Sequence, residues 1–241
     1  TILDLRKRGY AEYTLRNFLN NLMRMASHVN LDDPETVREF IALKQVADSF
    51  KRNLCDVYNH YARVNSLSWI KPHYQKKSKL PMVPTEERLN LIIAHASRKY
   101  ALILSILRDT GIRPIEVSKL TLEDVDLEKG IVSIQTAKGG NPRQLKLKPS
   151  TTAMFIEYAK RHNFSMTDRL FPKSSTICNT YERLRTSVAN KLKDSVIKKI
   201  RLYDYRHHYA TMLYSKTRDI LLVKESLGHR KIENTLIYTH L

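Results

Sequence analysis

Three residue types near the end of the chain stand in an order that could handle a phosphodiester. Arg206 lies in Leu202-Tyr203-Asp204-Tyr205-Arg206-His207-His208-Tyr209-Ala210-Thr211, one helical turn after Tyr203. His229 follows the glycine of Leu227-Gly228-His229, and Tyr238 comes nine residues after that histidine. An arginine neutralises the non-bridging oxygens of a phosphate, a second donor supports it, and a phenol attacks phosphorus. Arg, His and Tyr are common here, with 13 tyrosines among 241 residues. Order and spacing therefore carry the reading.

Upstream, Asp109-Thr110-Gly111-Ile112-Arg113-Pro114-Ile115-Glu116-Val117 adds a second arginine. Gly111 breaks a helix, the residue before a proline is biased away from helix, and Pro114 suits the first position of the next one. Arg113 is thus expected at a helix N-terminus, where free N–H groups and the dipole favour a phosphate. Glu116 is placed to hold a neighbouring basic side chain. Lys138 sits on the Gly139-Gly140 turn of a hairpin. Position and composition alone favour a solvated lysine there; the functional reading makes it a proton donor at a scissile phosphate.

The elements that must position these groups are mainly helical. Residues 10–70 read as helices, with Leu15, Phe18, Leu19, Leu22 and Met25 on one apolar face. Asp33-Pro34-Glu35 has an N-cap, an N1 proline and a first-turn acid, and a third segment runs through Phe50, Leu54, Val57, Tyr58 and Tyr61. Residues 71–84 hold four lysines, three prolines and no acid, and read as an extended basic linker. Lys71, Lys76, Lys77 and Lys79 would lie along DNA phosphates, with the flanking domains clamping a duplex from opposite sides. Helices are then predicted from Thr85, over 100–108, 151–162, 181–193, 204–215 and 220–227, and around Tyr238. The last of these follows Gly228 as a C′ residue. Strand-like alternation over 131–134 and 144–148 flanks the Lys138 turn, beside Arg143. The basic run 191–201 reads as a DNA-facing or solvated strip.

The bulk numbers agree. A formal charge of +18 and a pI near 9.9 suggest an anionic polymer, nucleic acid ahead of membrane. Cys55 and Cys178 are far apart without CxxC or clustered histidines, so neither zinc nor a disulfide framework is expected, and a reducing compartment fits. No apolar run approaches membrane-spanning length. Residue 1 is threonine, so an unseen preceding segment is expected.

Together these segments resemble the tyrosine recombinase (phage integrase) family. The matches are Thr110-Gly111-Ile112-Arg113-Pro114-Ile115-Glu116, Lys138 in its hairpin, Arg206-His207-His208-Tyr209-Ala210-Thr211, Leu227-Gly228-His229 and Ile237-Tyr238-Thr239-His240. They span residues 80–241, and the N-terminal helices more loosely resemble a core-binding domain. The resemblance implies a mainly α fold with a small antiparallel β-sheet. A helical core-binding domain (1–70) and a basic linker (71–84) would precede an α+β catalytic domain (85–241). It implies site-specific DNA recombination on double-stranded DNA. Tyr238 would be the nucleophile, joined to the DNA 3′ end. Arg113 and Arg206 would grip the phosphate, Lys138 would protonate the leaving 5′ oxygen and His229 would donate to a phosphate oxygen. Glu116 would support the site from behind. Arg143 joins the linker lysines as an expected DNA contact. No metal or other cofactor is expected, and the setting is cytoplasmic or nucleoid-associated. A homo-tetramer on paired duplexes is implied, with a monomer in the absence of DNA. The chain stops three residues after Tyr238, so a C-terminal helix docking on a neighbouring subunit is expected to be missing or short, and cleavage in cis or in trans stays open.

One position departs from the family pattern. A histidine usually stands three residues before the second arginine, where this chain has Tyr203. A phenol is a poor base at neutral pH but can donate a hydrogen bond. The favoured reading has Tyr203 bonding the phosphate while another group or water takes the Tyr238 proton. In the other, His207 compensates, although it lies about 100° round the helix from Arg206. The competing functions are a type IB topoisomerase-like relaxation and a catalytically inactive DNA-binding protein.

Overall fold

Start and stop signals set the helices of the first part of the chain. The computed structural model describes residues 1–75, 80–135 and 141–240, and divides the chain into two units, Thr1–Lys79 and Leu80–Leu241. The first holds α1 (Ile2–Lys7), α2 (Glu12–Ala26), α3 (Pro34–Leu43) and α4 (Asp48–Val64). The Asp33 side chain accepts from the N–H groups of Glu35 and Thr36 with Pro34 behind it, the cap that the sequence predicts. Leu22, Met25, Val37, Ile41, Leu54 and Tyr58 close the core between α2, α3 and α4. Leu19 is exposed rather than buried. It falls about 40° past Leu15 round α2, at the rim of the apolar face. Trp69 and Tyr74 pack against this core, and the Lys71 ammonium pairs with Asp56 of α4, so the segment after α4 folds back as far as Tyr74.

The second unit is built on a helix that is apolar nearly all round. It contains α5 (Glu86–Ala94), α6 (Arg98–Thr110), α7 (Pro114–Val117), β1 (Val125–Asp126), β2 (Ile131–Ile134), β3 (Arg143–Lys146), α8 (Pro149–Arg161), α9 (Ser174–Leu192), α10 (Asp204–Thr217) and α11 (Ile220–Leu227). Leu102, Ile103, Leu104, Ile106 and Leu107 of α6 are all buried, as expected of a helix covered on every side. The three strands are antiparallel with β2 in the middle, and Val132 opposite Leu145 turns an apolar pair into the core. The short β1, absent from the sequence prediction, pairs only Val125 and Asp126. The basic run after α9 is half anchored: Ile197 and Ile200 are fully buried while Lys198 and Lys199 stay outside.

Two glycines end the helices that frame the site. Gly111 (φ +62°) stops α6 and Gly228 (φ +64°) stops α11, both in the left-handed region. A Cβ on Gly111 would stand 2.4 Å from Tyr209 Cδ1. Beyond Gly228 the chain does not form the α-helix predicted around Tyr238. It makes two 3₁₀ turns, Ile232–Asn234 and Leu236–His240, because Thr235 is fully buried and bonded to His229, which bends the chain around it.

Gly111→Ala should destabilise the second unit by about 2 kcal/mol, from left-handed strain plus the clash with Tyr209. Urea unfolding would measure it, with Gly9→Ala, whose Cβ would meet nothing within 4 Å, as the comparison.

Candidate active site

The site is assembled around the Arg206 side chain, only 1% exposed on α10. Its Nη1 donates to the Gly111 carbonyl (2.7 Å) and its Nη2 to the Leu227 carbonyl (2.6 Å) and to His229 Nε2 (2.9 Å). A guanidinium only donates, so His229 Nε2 must accept, and its Nδ1–H is given to Thr235 Oγ1 at 2.9 Å. Burial, then the charges of Arg206, Arg113 and Arg143, push the His229 pKa down to about 4 against the pull of Glu116, so the ring is neutral. His229 therefore fixes Arg206 instead of presenting an N–H to a phosphate as expected. Burial and the nearby Arg113 charge lower the Arg206 pKa to about 10, which leaves it cationic at neutral pH. Arg206 Nε is buried with no hydrogen-bond partner among the described residues.

Arg113 caps the start of α7, as its sequence context predicts. Its backbone N–H donates to Glu116 Oε2 (2.8 Å) and its Nη1 to Glu116 Oε1 (3.0 Å). Arg143 reaches the same carboxylate from β3, with Nη2 to Oε2 at 2.9 Å, and its Nε bonds the Ser226 carbonyl at 2.7 Å. Burial alone would raise the Glu116 pKa, but the bonds from Arg143 and the Arg113 backbone, with both positive charges, hold it below the ordinary value. The expectation that Arg143 lies along DNA is thus corrected. Its side chain is buried in an ion pair that ties β3 to α7 and α11. One sequence signal could have found this: Arg143 shares the inward face of its strand with Leu145.

Tyr238 is 2% exposed, packed in a small cluster with Ala210, Val223 and Leu227. Its hydroxyl lies 3.0 Å from His207 Nδ1. Burial raises its pKa to about 12, although the Arg206 and Arg113 charges pull the other way. The favoured sequence reading leaves the Tyr238 proton to another group or water, because His207 lies about 100° round the helix from Arg206. The last 3₁₀ segment packs on α10, so that direction is where the phenol stands. Tyr203 is 43% exposed and sets its ring edge against His207, with centroids 5.4 Å apart. His208 bonds the Pro84 carbonyl instead (2.9 Å), as a packing residue. Lys138, Lys76, Lys77 and Lys79 lie outside the described residues. Among those described, no group of three or more His, Cys, Asp or Glu could hold a metal, and no helix is long and apolar enough to cross a membrane.

Arg113, Arg206, the neutral His229 and the Tyr238 phenol thus lie around the ends of α6, α10 and α11. The chain belongs to the phage integrase family, whose model matches residues 83–241. Tyrosine recombinase XerA of Saccharolobus solfataricus is 29% identical over 144 residues, 59% of this chain and 46% of the relative. Tyrosine recombinase XerH of Campylobacter jejuni is 27% identical over 201 residues, 79% of this chain and 57% of the relative. The chain thus spans about half the length of these curated relatives. Among solved structures, the Tn1549 transposon integrase in complex with a circular intermediate DNA superposes with a TM-score of 0.76 at 17% identity, covering 98% of this chain and 92% of that one. XerH bound to its difH substrate superposes at 0.64 with 24% identity, covering 86% and 67%. At these identities the superpositions speak to the fold alone.

The depressed His229 pKa fixes a pH dependence. The folded ring resists protonation while the unfolded one titrates normally, so its stabilising contribution is complete above about pH 6.5 and is lost as pH falls toward 4. His229→Gln should flatten this part of the stability profile, by up to about 3 kcal/mol, in denaturant melts across that window. His207 and His208, also held below their ordinary pKa by burial, leave a residual slope of the same sign.

Proposed function

We propose that this protein is a site-specific DNA recombinase or integrase that cleaves and rejoins strands through a covalent 3′-phosphotyrosine. The observation that carries the reading is the packing of Tyr238 against α10, its hydroxyl 3.0 Å from Nδ1 of His207, the residue after Arg206, whose guanidinium bonds the Gly111 carbonyl two residues before Arg113. Membership of the phage integrase family and the named activities of its relatives support it. Tyr238 attacks phosphorus, and the two arginines stabilise the negative charge that grows on the non-bridging oxygens. The Arg206 Nε–H, without a partner among the described residues, is a donor that a phosphate oxygen would satisfy. Glu116 and His229 hold Arg113 and Arg206 in place, and Lys138 protonates the leaving 5′ oxygen. The phosphotyrosine conserves the energy of the phosphodiester, so rejoining needs no nucleotide, metal or other cofactor.

The partner in this reading is double-stranded DNA, gripped by the helical unit 1–70, the basic linker 71–84 and the catalytic unit 85–241, as a homo-tetramer on paired duplexes. The setting is the cytoplasm or nucleoid. A net charge of +18 supports DNA binding that weakens steeply as salt rises.

The test is covalent trapping on a pool of nicked duplexes of randomised sequence, whose cleaved end diffuses away. Wild type should give a slow-migrating adduct on a denaturing gel, Tyr238→Phe none, and Arg206→Lys about a hundredfold less. An adduct retained in Tyr238→Phe would remove the nucleophile assignment. DNA binding without any adduct would leave the inactive DNA-binding reading, and site-independent relaxation of supercoils the topoisomerase-like one.

A further inference from the structure

A phenol that attacks phosphorus must give up its proton, and the position three residues before Arg206 holds a second phenol that cannot take it at neutral pH. We propose that His207 Nδ1 is the proton acceptor for Tyr238 during strand cleavage and returns that proton during rejoining. The proposal rests on the strand-cleavage reading above and adds a catalytic residue to it.

The geometry argues by elimination as well as by contact. His207 Nδ1 is 3.0 Å from the Tyr238 hydroxyl, within direct proton-transfer reach, with the two rings 5.8 Å apart. The charged side chains acting on the phenol, Arg206 and Arg113, are donors and cannot accept. His229 is committed to Arg206 and Thr235 and His208 to the Pro84 carbonyl, while His240, on the same 3₁₀ segment as Tyr238, is exposed. The Tyr238 O–H therefore donates to His207 Nδ1, which leaves the ring hydrogen on Nε2. Tyr203 packs its ring edge on His207 and acts as a positioning residue, not as the substitute for a missing histidine.

The groups acting on His207 are Asp204, Arg201 and Arg206 from α10 and the turn before it, with the Tyr203 and Tyr238 rings packed against it. Burial lowers its pKa below the ordinary 6.5, Asp204 opposes, and the two arginines add to the lowering, so the ring is a free base at pH 7. Because the phenol is far less acidic than the imidazolium, the proton leaves in step with phosphorus–oxygen bond formation. In cleavage the Tyr238 oxygen bonds to phosphorus as its hydrogen passes to Nδ1. The bond from phosphorus to the 5′ oxygen breaks with its electron pair on that oxygen, which takes a proton from Lys138 or water. In rejoining the 5′ hydroxyl attacks and returns its proton to Lys138 or water, while the departing Tyr238 oxygen takes its own back from His207. Nothing is oxidised or reduced.

The experiment follows single-turnover adduct formation on the randomised nicked-duplex pool, from acid to alkaline pH. Wild type should lose rate as pH falls through the His207 pKa and level off above it. His207→Gln, which keeps a polar side chain but takes no proton, should be about a hundredfold slower near neutrality, with a rate that climbs steadily with pH. Added imidazole should restore part of the rate in His207→Ala. Tyr203→Phe, which keeps the ring and removes the hydroxyl, should lose much less than His207→Gln. Equal rates and profiles for His207→Gln and wild type, or a larger loss in Tyr203→Phe, would overturn the proposal while a Tyr238-dependent adduct kept the function intact. Absence of any wild-type adduct would overturn both. Thermal melts and gel shifts check that the variants fold and bind. If they do not, a long-range ¹H–¹⁵N spectrum of wild type decides: His207 protonated on Nε2 supports the assignment, and a neutral ring protonated on Nδ1 overturns it.

Discussion

One buried guanidinium holds the second unit's site together. Arg206 donates to the Gly111 carbonyl, just past the end of α6, and to the Leu227 carbonyl, the last residue of α11. Carbonyls at helix ends lack intrahelical partners and sit at the negative end of the helix dipole. Arg206 thus stabilises two helix termini at once, and they offset the cost of taking its charge out of water. Both helices stop on a glycine in the left-handed region, so the position of the arginine depends on where two backbones turn. His229 closes the arrangement as a neutral acceptor, which is why its own basicity is suppressed.

The remaining groups are held by a different kind of contact. Glu116 fixes Arg113 and Arg143 through charge-assisted bonds with little freedom. The Tyr238 side chain is held by apolar packing and the His207 hydrogen bond, on a short 3₁₀ segment. The charged half of the site is rigid by construction, whereas the phenol rests on less directional forces.

What could be read from the sequence was what short-range chemistry decides. The Asp33 cap, the Gly111 and Gly228 stops and the place of Arg113 before Pro114 all depend on neighbours within four residues. Together with the Tyr238 spacing they were enough to recognise the family. What stayed hidden depends on contacts across the fold. Nothing near Arg143 in sequence announces Glu116, 27 residues away, and nothing near His207 announces the phenol 31 residues on. The 3₁₀ path of the last segment also escaped, since it is set by the buried Thr235–His229 bond rather than by helix propensity. Leu19 shows the same limit in apolar form, because a periodic pattern cannot mark the rim of a helix face.

The sharing of one carboxylate by two arginines also sets the charge of the site. Among the described residues, Arg113, Arg143 and Arg206 bring three positive charges, and Glu116, held ionised by its partners, removes one. The remainder is two. A phosphodiester carries a single negative charge, while the five-coordinate phosphorus of the proposed reaction carries two. The second negative charge appears as the Tyr238 proton passes to His207, so the net charge of the site stays constant while charge separates, and the cationic surplus around the phosphate favours the five-coordinate state over bound DNA.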